Sequence, residues 1–140
     1  MNFANVFKTL GDETRLRLLN LFLQSGKKIC VGEMVDALEL PQYQISRHLT
    51  MLRNLDLVKT EREGTWIYYE ANWEASQCVS DLFNVIKKHF KVRFPEDIER
   101  LNARLELREG DYCVIGHSMY EAKHKPKKMK EVKGKKSVKK

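Results

Sequence analysis

The sequence predicts a mainly α-helical chain that carries one small β-hairpin and ends in a basic tail. Three observations carry this reading. Apolar residues recur at helical spacing in successive segments from Phe3 to Leu105. One pair of β-rich runs, joined through Glu63-Gly64, interrupts them. From Glu121 to Lys140 there are ten lysines and two glutamates with almost nothing apolar, a composition that repels itself and predicts disorder.

At 140 residues and 42% hydrophobic content, the chain suffices for one compact core plus a tail and is too short for two full domains. No apolar run approaches the ~20 residues that span a bilayer. The start, MNFANVFKTLGDE, lacks the basic and apolar regions of a signal peptide. A soluble cytoplasmic protein with no membrane partner is the expectation. Cys30, Cys78 and Cys113 are odd in number and widely spaced, unlike a secreted disulfide framework, and are expected as free thiols. The net charge of +7 suggests a nucleic-acid partner, but the tail alone carries +8 and residues 1–120 sum to −1. Bulk attraction to phosphates, through counterion release, therefore belongs to the tail, which as a charge run reads equally well as a solubilising segment. Any recognition by the body must come from placed contacts.

In order, residues 5–10 read as a short first helix with Phe3, Val6, Phe7 and Leu10 apolar, ended by Gly11. Asp12 is an N-cap for a second helix whose Leu16, Leu19, Phe22 and Leu23 continue to Ser25-Gly26. Residues 31–38 form a third, with Met34, Val35 and Leu38 inward. Pro41 then opens a fourth, since its missing N–H is one that a first turn leaves unpaired. Ile45, Leu49 and Leu52 make the core stripe of this helix. Residues 57–62 and 65–70 are the two strands, with Arg62 and Thr65 at the tip on either side of Glu63-Gly64. Residues 74–90 form a fifth helix with Val79, Leu82, Phe83, Ile86 and Phe90 on a wide face, and residues 95–108 a sixth, closed by Gly110.

The third and fourth helices followed at once by a hairpin make a winged helix-turn-helix pattern, a DNA-reading device. Stepping about 100° per residue puts Tyr43, Arg47 and Thr50 opposite the apolar stripe of the fourth helix, with Gln44 and Ser46 on its flanks. The polar set sits in the first two turns, where a recognition helix meets base edges. Arg47 can fork onto guanine, Gln42 or Gln44 can pair with adenine, and Ser46 and Thr50 can bond bases or phosphates. Arg53 and Arg62 suit phosphates, with Thr65 beside them on the wing. Each residue alone also fits an ordinary solvated helix face; the combination with the turn and wing favours DNA. His48, beside the stripe, reads as a packing or phosphate contact rather than a metal ligand.

The segments FKTLGDETRLRLLNLF and CVGEMVDALELPQYQISRHLTMLRNLDLVKTEREGTWIYY, and less specifically LELREGDYCVIG, resemble the arsenic-repressor (ArsR/SmtB) family of winged-helix regulators. The resemblance covers most of residues 3–116. It implies a homodimer joined through the first and fifth helices, with Phe3, Phe7, Leu82, Phe83 and Ile86 at the seam. It also implies repression on a near-palindromic operator, two half-sites for two recognition helices, and release by an inducer. No cofactor is required; the possible inducer is arsenite or another thiophilic metal ion. Relatives that sense soft metals often carry C-V-C where the third helix begins, whereas here the segment is Cys30-Val31-Gly32. Cys30 keeps the first thiol, and Cys113 can supply a second if the chain beyond the sixth helix folds back, from the same chain or the partner. Thiolates suit thiophilic species. Against this, a buried cysteine is often only a small packing residue. Cys78, on the apolar side of the fifth helix, reads first as core or dimer packing. A third thiolate would have to be Cys78 or a partner's thiol. The family's zinc site on the fifth helix is poorly matched: Asp81 and His89 are present, but Phe83 stands where a histidine is expected. His117 and His124 read as solvated.

The chain is thus divided into residues 1–92, a DNA-binding and dimerisation domain; 93–116, a C-terminal helix with a cysteine-bearing extension; and 117–140, a basic disordered tail. Two other functions remain open. One is a thiol redox or reactive-sulfur responsive repressor; the other is a constitutive DNA-binding protein with packed, inert cysteines, which deletion of residues 121–140 would test. No nucleophile and base pairing, glycine-rich phosphate loop or metal-hydrolase motif points to an enzyme.

Overall fold

A computed structural model of the chain describes residues 1–117 and 120. It runs α1 (Phe3–Leu10), α2 (Glu13–Ser25), β1 (Ile29–Cys30), α3 (Val31–Leu38), α4 (Gln42–Asn54), β2 (Val58–Glu63), β3 (Trp66–Ala71), α5 (Gln77–His89) and α6 (Pro95–Leu105). This is the winged helix-turn-helix expected. The lysine-rich segment from residue 121, with its expected disorder and His124, lies outside the described residues.

Local chemistry sets the helix ends. Asn2 accepts the Asn5 N–H at 3.1 Å, so α1 begins at Phe3, two residues before the expected start. Asp12 accepts the Arg15 N–H at 3.1 Å and opens α2, which Gly26 closes in the left-handed conformation at φ 66°. Pro41 is the N-cap of α4 rather than its first helical residue; its carbonyl accepts from Gln44 and Ile45 N–H, both at 3.1 Å. Ser76 caps α5 through the Val79 N–H, which starts that helix at Gln77 instead of residue 74. The sixth helix ends at Leu105, earlier than expected. The chain then turns through Gly110 (φ 63°), bridging Glu109 to Tyr112, and this frees Arg108 to reach back across α3.

The sheet is antiparallel with strand order β1-β3-β2. β1 was not anticipated, because two residues carry no alternation to read. It pairs Ile29 with Tyr69 and Cys30 with Tyr68. In the hairpin Glu63 pairs with Trp66, so the turn is Gly64-Thr65, one residue later than expected. Thr65 lies in the turn itself, and Arg62 pairs with Ile67 one step behind the tip. The φ of 64° at Gly64 is what selects this register: the glycine supplies the left-handed residue a two-residue hairpin needs.

One core gathers Val6, Leu18, Leu21, Ile29, Met34, Ile45, Leu52, Phe83 and Leu101 from all these layers. Phe83 and Ile86 belong to this core in the single chain, with Phe83 edge-on to Trp73 at 5.4 Å; their assignment to a dimer seam is therefore corrected. Phe3, Phe7 and Val85 stay exposed. Cys78 is exposed as well, so it is not a core residue. The expected apolar side of α5 is narrower than its composition suggests, about a helix stripe wide.

α6 runs back along α3, and three acidic residues at every third position, two in α3 and one at its C-cap, meet three arginines. Asp36 pairs with Arg104 at 2.8 Å, Glu33 with Arg108 at 2.6 Å, and Glu39 with Arg100 at 3.7 Å. Asp97 of α6 holds Arg17 of α2 through both carboxylate oxygens, each at 2.8 Å. These pairs fix where the chain beyond α6 can go.

Candidate functional site

Cys30 is the N-cap of α3, the first helix of the helix-turn-helix, and also the last residue of β1. Its side chain is buried, as is that of Cys113, and their sulfurs stand 3.0 Å apart. A disulfide needs ~2.05 Å, so these are two free thiols in contact. Cys113 is carried on a strap, residues 111–117, that returns over α3. Its N–H donates to the Tyr68 hydroxyl at 2.8 Å, its sulfur contacts the Ile115 carbonyl at 3.3 Å, and Tyr68 is buried in one cluster with the two cysteines. Trp66 packs on this small cluster. The condition set on Cys113 is fulfilled within one chain: the segment just beyond α6 folds back and brings its sulfur against that of Cys30.

Charge surrounds the pair unevenly. Glu33 is fully buried, accepts the Cys30 N–H at 3.1 Å, and takes a fork of bonds from Arg108 at 2.6 and 2.8 Å. Arg108 also donates to the Lys28 carbonyl at 2.7 Å and the Asp111 carbonyl at 3.2 Å, while Arg104 donates to the Ile115 carbonyl at 2.6 Å. The hydrogen bond from Cys30 holds the Cys113 thiol below its ordinary range, against the cost of burial, with Arg104 and Arg108 helping. That same bond, then burial and the Glu33 carboxylate, pushes the Cys30 thiol up. The pair therefore gives up its first proton readily, leaving the charge on Cys113, and its second reluctantly.

Cys30, Glu33 and Cys113 place three ligand atoms within 4.8 Å of one another, the group of metal-ligating type found among the described residues. Glu33 is committed to Arg108, so the softer and freer donors are the two sulfurs. Cys78 is not in this group. Asp81 accepts a hydrogen bond from Gln77 on the exposed side of α5.

Most of the expected DNA-facing residues are open to solvent. Gln42, Tyr43, Arg47, Thr50 and Arg53 are exposed along α4, Gln44 and Ser46 are half-buried at its flank, and Arg62 and Thr65 are exposed on the hairpin. The Thr50 hydroxyl already donates to the Ser46 carbonyl at 3.0 Å. His48 is buried beside the stripe, 3.1 Å from Arg15, and burial holds its imidazole below the usual range. It is a packing residue.

Four residues of the site were not singled out from sequence: Glu33, Tyr68, Arg104 and Arg108. A signal for three of them existed. Acidic residues at 33, 36 and 39 and arginines at 100, 104 and 108 have the i,i+3 and i,i+4 spacings of facing helical edges. Tyr68 had none, because its place depends on the unforeseen β1.

The chain matches the model for "Bacterial regulatory protein, arsR family" over residues 12–60. It is 41% identical over 81 residues to the Arsenic resistance transcriptional regulator ArsR2 of Pseudomonas putida, spanning 58% of this chain and 70% of that protein. It is 45% identical over 74 residues to ArsR1 of the same organism, spanning 53% of this chain and 57% of that relative's length. Among solved structures it resembles reduced HlyU from Vibrio cholerae, with a TM-score of 0.53 and 29% identity over 61% of this chain and 84% of that one. Helix order, wing and sequence agree: the chain belongs to the arsR family of winged helix-turn-helix transcriptional regulators.

Proposed function

We propose that the chain is a DNA-binding repressor, working as a homodimer on a near-palindromic operator, that is released when an inducer engages Cys30 and Cys113. The observation that carries this is the pair of buried sulfurs at 3.0 Å, one of them at the N-cap of the first helix of the reading head. Anything that changes the sulfur separation acts directly on the start of α3. In this reading Gln42, Gln44, Ser46 and Arg47 meet base edges, and Tyr43, Thr50, Arg53, Arg62 and Thr65 position the head on the backbone. The exposed Phe3, Phe7 and Val85 supply the dimer seam.

The inducer favoured is arsenite or another thiophilic metal ion, in keeping with the names of the Pseudomonas relatives. Two thiolates at ~2.3 Å from one tetrahedral ion stand about 3.8 Å apart. Chelation therefore spreads the pair, and Cys113, the more acidic partner, binds first. A second reading draws on the same distance: with the sulfurs already in contact, an oxidant that takes two electrons and two protons from the pair closes it to a disulfide. The two inducers move the strap in opposite directions from its resting place.

Titrating an operator complex with arsenite, zinc, cadmium and peroxide separates them, using wild type and the Cys30→Ser and Cys113→Ser variants. Release by arsenite that each substitution abolishes supports chelation; release by peroxide that a reductant reverses supports the disulfide. A double variant that still lets go of DNA with arsenite ends the chelation reading.

A further inference from the structure

Gly32 lies in the first turn of α3, between the two residues that frame the site, Cys30 and Glu33. Glycine is a poor helix former, and no left-handed backbone calls for it here, in contrast to Gly26, Gly64 and Gly110. Space calls for it. A Cβ at this position would lie 3.1 Å from the His117 backbone nitrogen, 3.6 Å from Arg104 Nη2 and 3.7 Å from the Gly116 carbonyl carbon. The strap crosses α3 at this point, against bare backbone.

The strap cannot easily step aside. On one side of the crossing Arg104 holds the Ile115 carbonyl at 2.6 Å, and on the other His117 Nδ1 meets Asp36 at 2.5 Å. Arg104 and Asp36 are themselves paired and buried. The Tyr120 ring lies over the Arg104 guanidinium at 5.1 Å, and the Tyr120 N–H returns to the Gly116 carbonyl at 3.1 Å. A contact at 3.1 Å is tighter than an ordinary Cβ makes, so the strap backbone must give by a few tenths of an ångström to accept one. Cys113, three residues before the crossing, shifts with it. Gly116 is different: a Cβ there meets nothing within 4 Å.

We propose that Gly32 is the positioning residue of the dithiol site: its bare backbone is the seat for residues 116–117, and that seat sets Cys113 against Cys30. The role of the pair in sensing rests on the function proposed above; the seating does not. It makes the site a product of two chain segments, in which a side chain at position 32 crowds the docked strap.

Hydrogen exchange of the reduced full-length protein tests it, read at the Cys113 N–H, which the Tyr68 hydroxyl holds. Exchange there should quicken by about tenfold in Gly32→Ala and by more in Gly32→Val, while the amides pairing β1 with β3 keep their protection. Gly116→Ala should stay within about twofold of wild type. Unchanged protection of Cys113 in Gly32→Ala and Gly32→Val overturns the proposal, and if the valine variant fails to fold, the alanine variant decides. Arsenite release from operator DNA in Gly32→Ala keeps the two claims apart. A loosened strap with an undiminished response sinks the sensing role of Cys113 and leaves the seat standing; a tight strap with a lost response does the reverse.

Discussion

Replacing Glu33 with glutamine keeps the shape of the side chain and removes one charge at the centre of the site. The carboxylate accepts three bonds: two from the Arg108 fork, at 2.6 and 2.8 Å, and one from the Cys30 N–H at 3.1 Å. Glutamine keeps one oxygen and turns an amide donor toward a guanidinium that has only donors. One charge-assisted bond is lost, at about 1.5–3 kcal/mol, and Arg108, 3% exposed, loses the charge that compensates its own. Removing one partner of a buried ion pair costs about 3–5 kcal/mol, a large share of the ~5–15 kcal/mol that stabilises a typical domain. Urea unfolding of Glu33→Gln should show that loss, with an unchanged dependence on denaturant. The substitution also removes a field that raises the pKa of both thiols, so iodoacetamide should modify Cys30 and Cys113 faster at a given pH, in fragments identified by mass. A stability change under about 1 kcal/mol, the scale of an ordinary hydrogen bond, would mean that Arg108 finds solvent or another anion, and the electrostatic account of the site would fail.

Other outcomes follow from the same geometry. Arg47→Ala should weaken operator binding by about 1–3 kcal/mol and relax preference at one base position, whereas Arg62→Ala should weaken all sequences alike and lower the salt slope by about 1; equal effects of the two on specificity would remove the base-reading role of Arg47. Phe7 and Val85 are 56% and 53% exposed; wild type should sediment as the proposed dimer and Phe7→Glu combined with Val85→Glu as a monomer, and a dimer that persists places the seam elsewhere. Burial, with Arg15 and Arg47 adding to it against Asp12, depresses the His48 pKa. The unfolded chain then binds the proton first, so stability present above the ordinary histidine pKa of ~6.5 declines as pH falls from there toward the folded value. His48→Gln should flatten thermal stability between about pH 7.5 and 5.5, above the range where carboxylates titrate; an unaltered slope would show His48 to be solvated.

Most of the fold could be read because it repeats local rules. Ile45, Leu49 and Leu52 define the inner face of α4 by spacing alone, and Asp12 and Gly26 mark the ends of α2 by their own chemistry. The hairpin was legible in existence but not in register, since Glu63-Gly64 and Gly64-Thr65 both offer a turn and only the left-handed Gly64 in first place selects between them. The site was legible in its two cysteines, which are rare residues in suggestive places. Its remainder was not, because Tyr68 meets Cys113 across 45 residues and Glu33 meets Arg108 across 75. Exposure of Cys78, and enclosure of Phe83 within one chain and not at a seam, were equally hidden: α5 packs on α2 along one stripe, and sequence periodicity leaves the angle of that stripe loose by about a residue.

The arginine ladder ties these levels together. Buried ion pairs contribute little net stability compared with apolar replacements, and their best-attested use is to fix register. Here the rungs at 33, 36 and 39 meet 108, 104 and 100, and a slip of one helical turn would leave the buried Glu33 without the Arg108 guanidinium that compensates its charge. The hypothesis this supports is that the ladder exists to align α6 on α3. Alignment matters because the strap begins where α6 ends, and its path over Gly32 delivers Cys113 to within 3.0 Å of Cys30. A helix register, set by charge, thus becomes a sulfur distance at the first residue of the reading head. Apolar packing of α6 through Ile98, Leu101 and Leu105 is non-directional, so the charged rungs carry the register that the two-sulfur site needs.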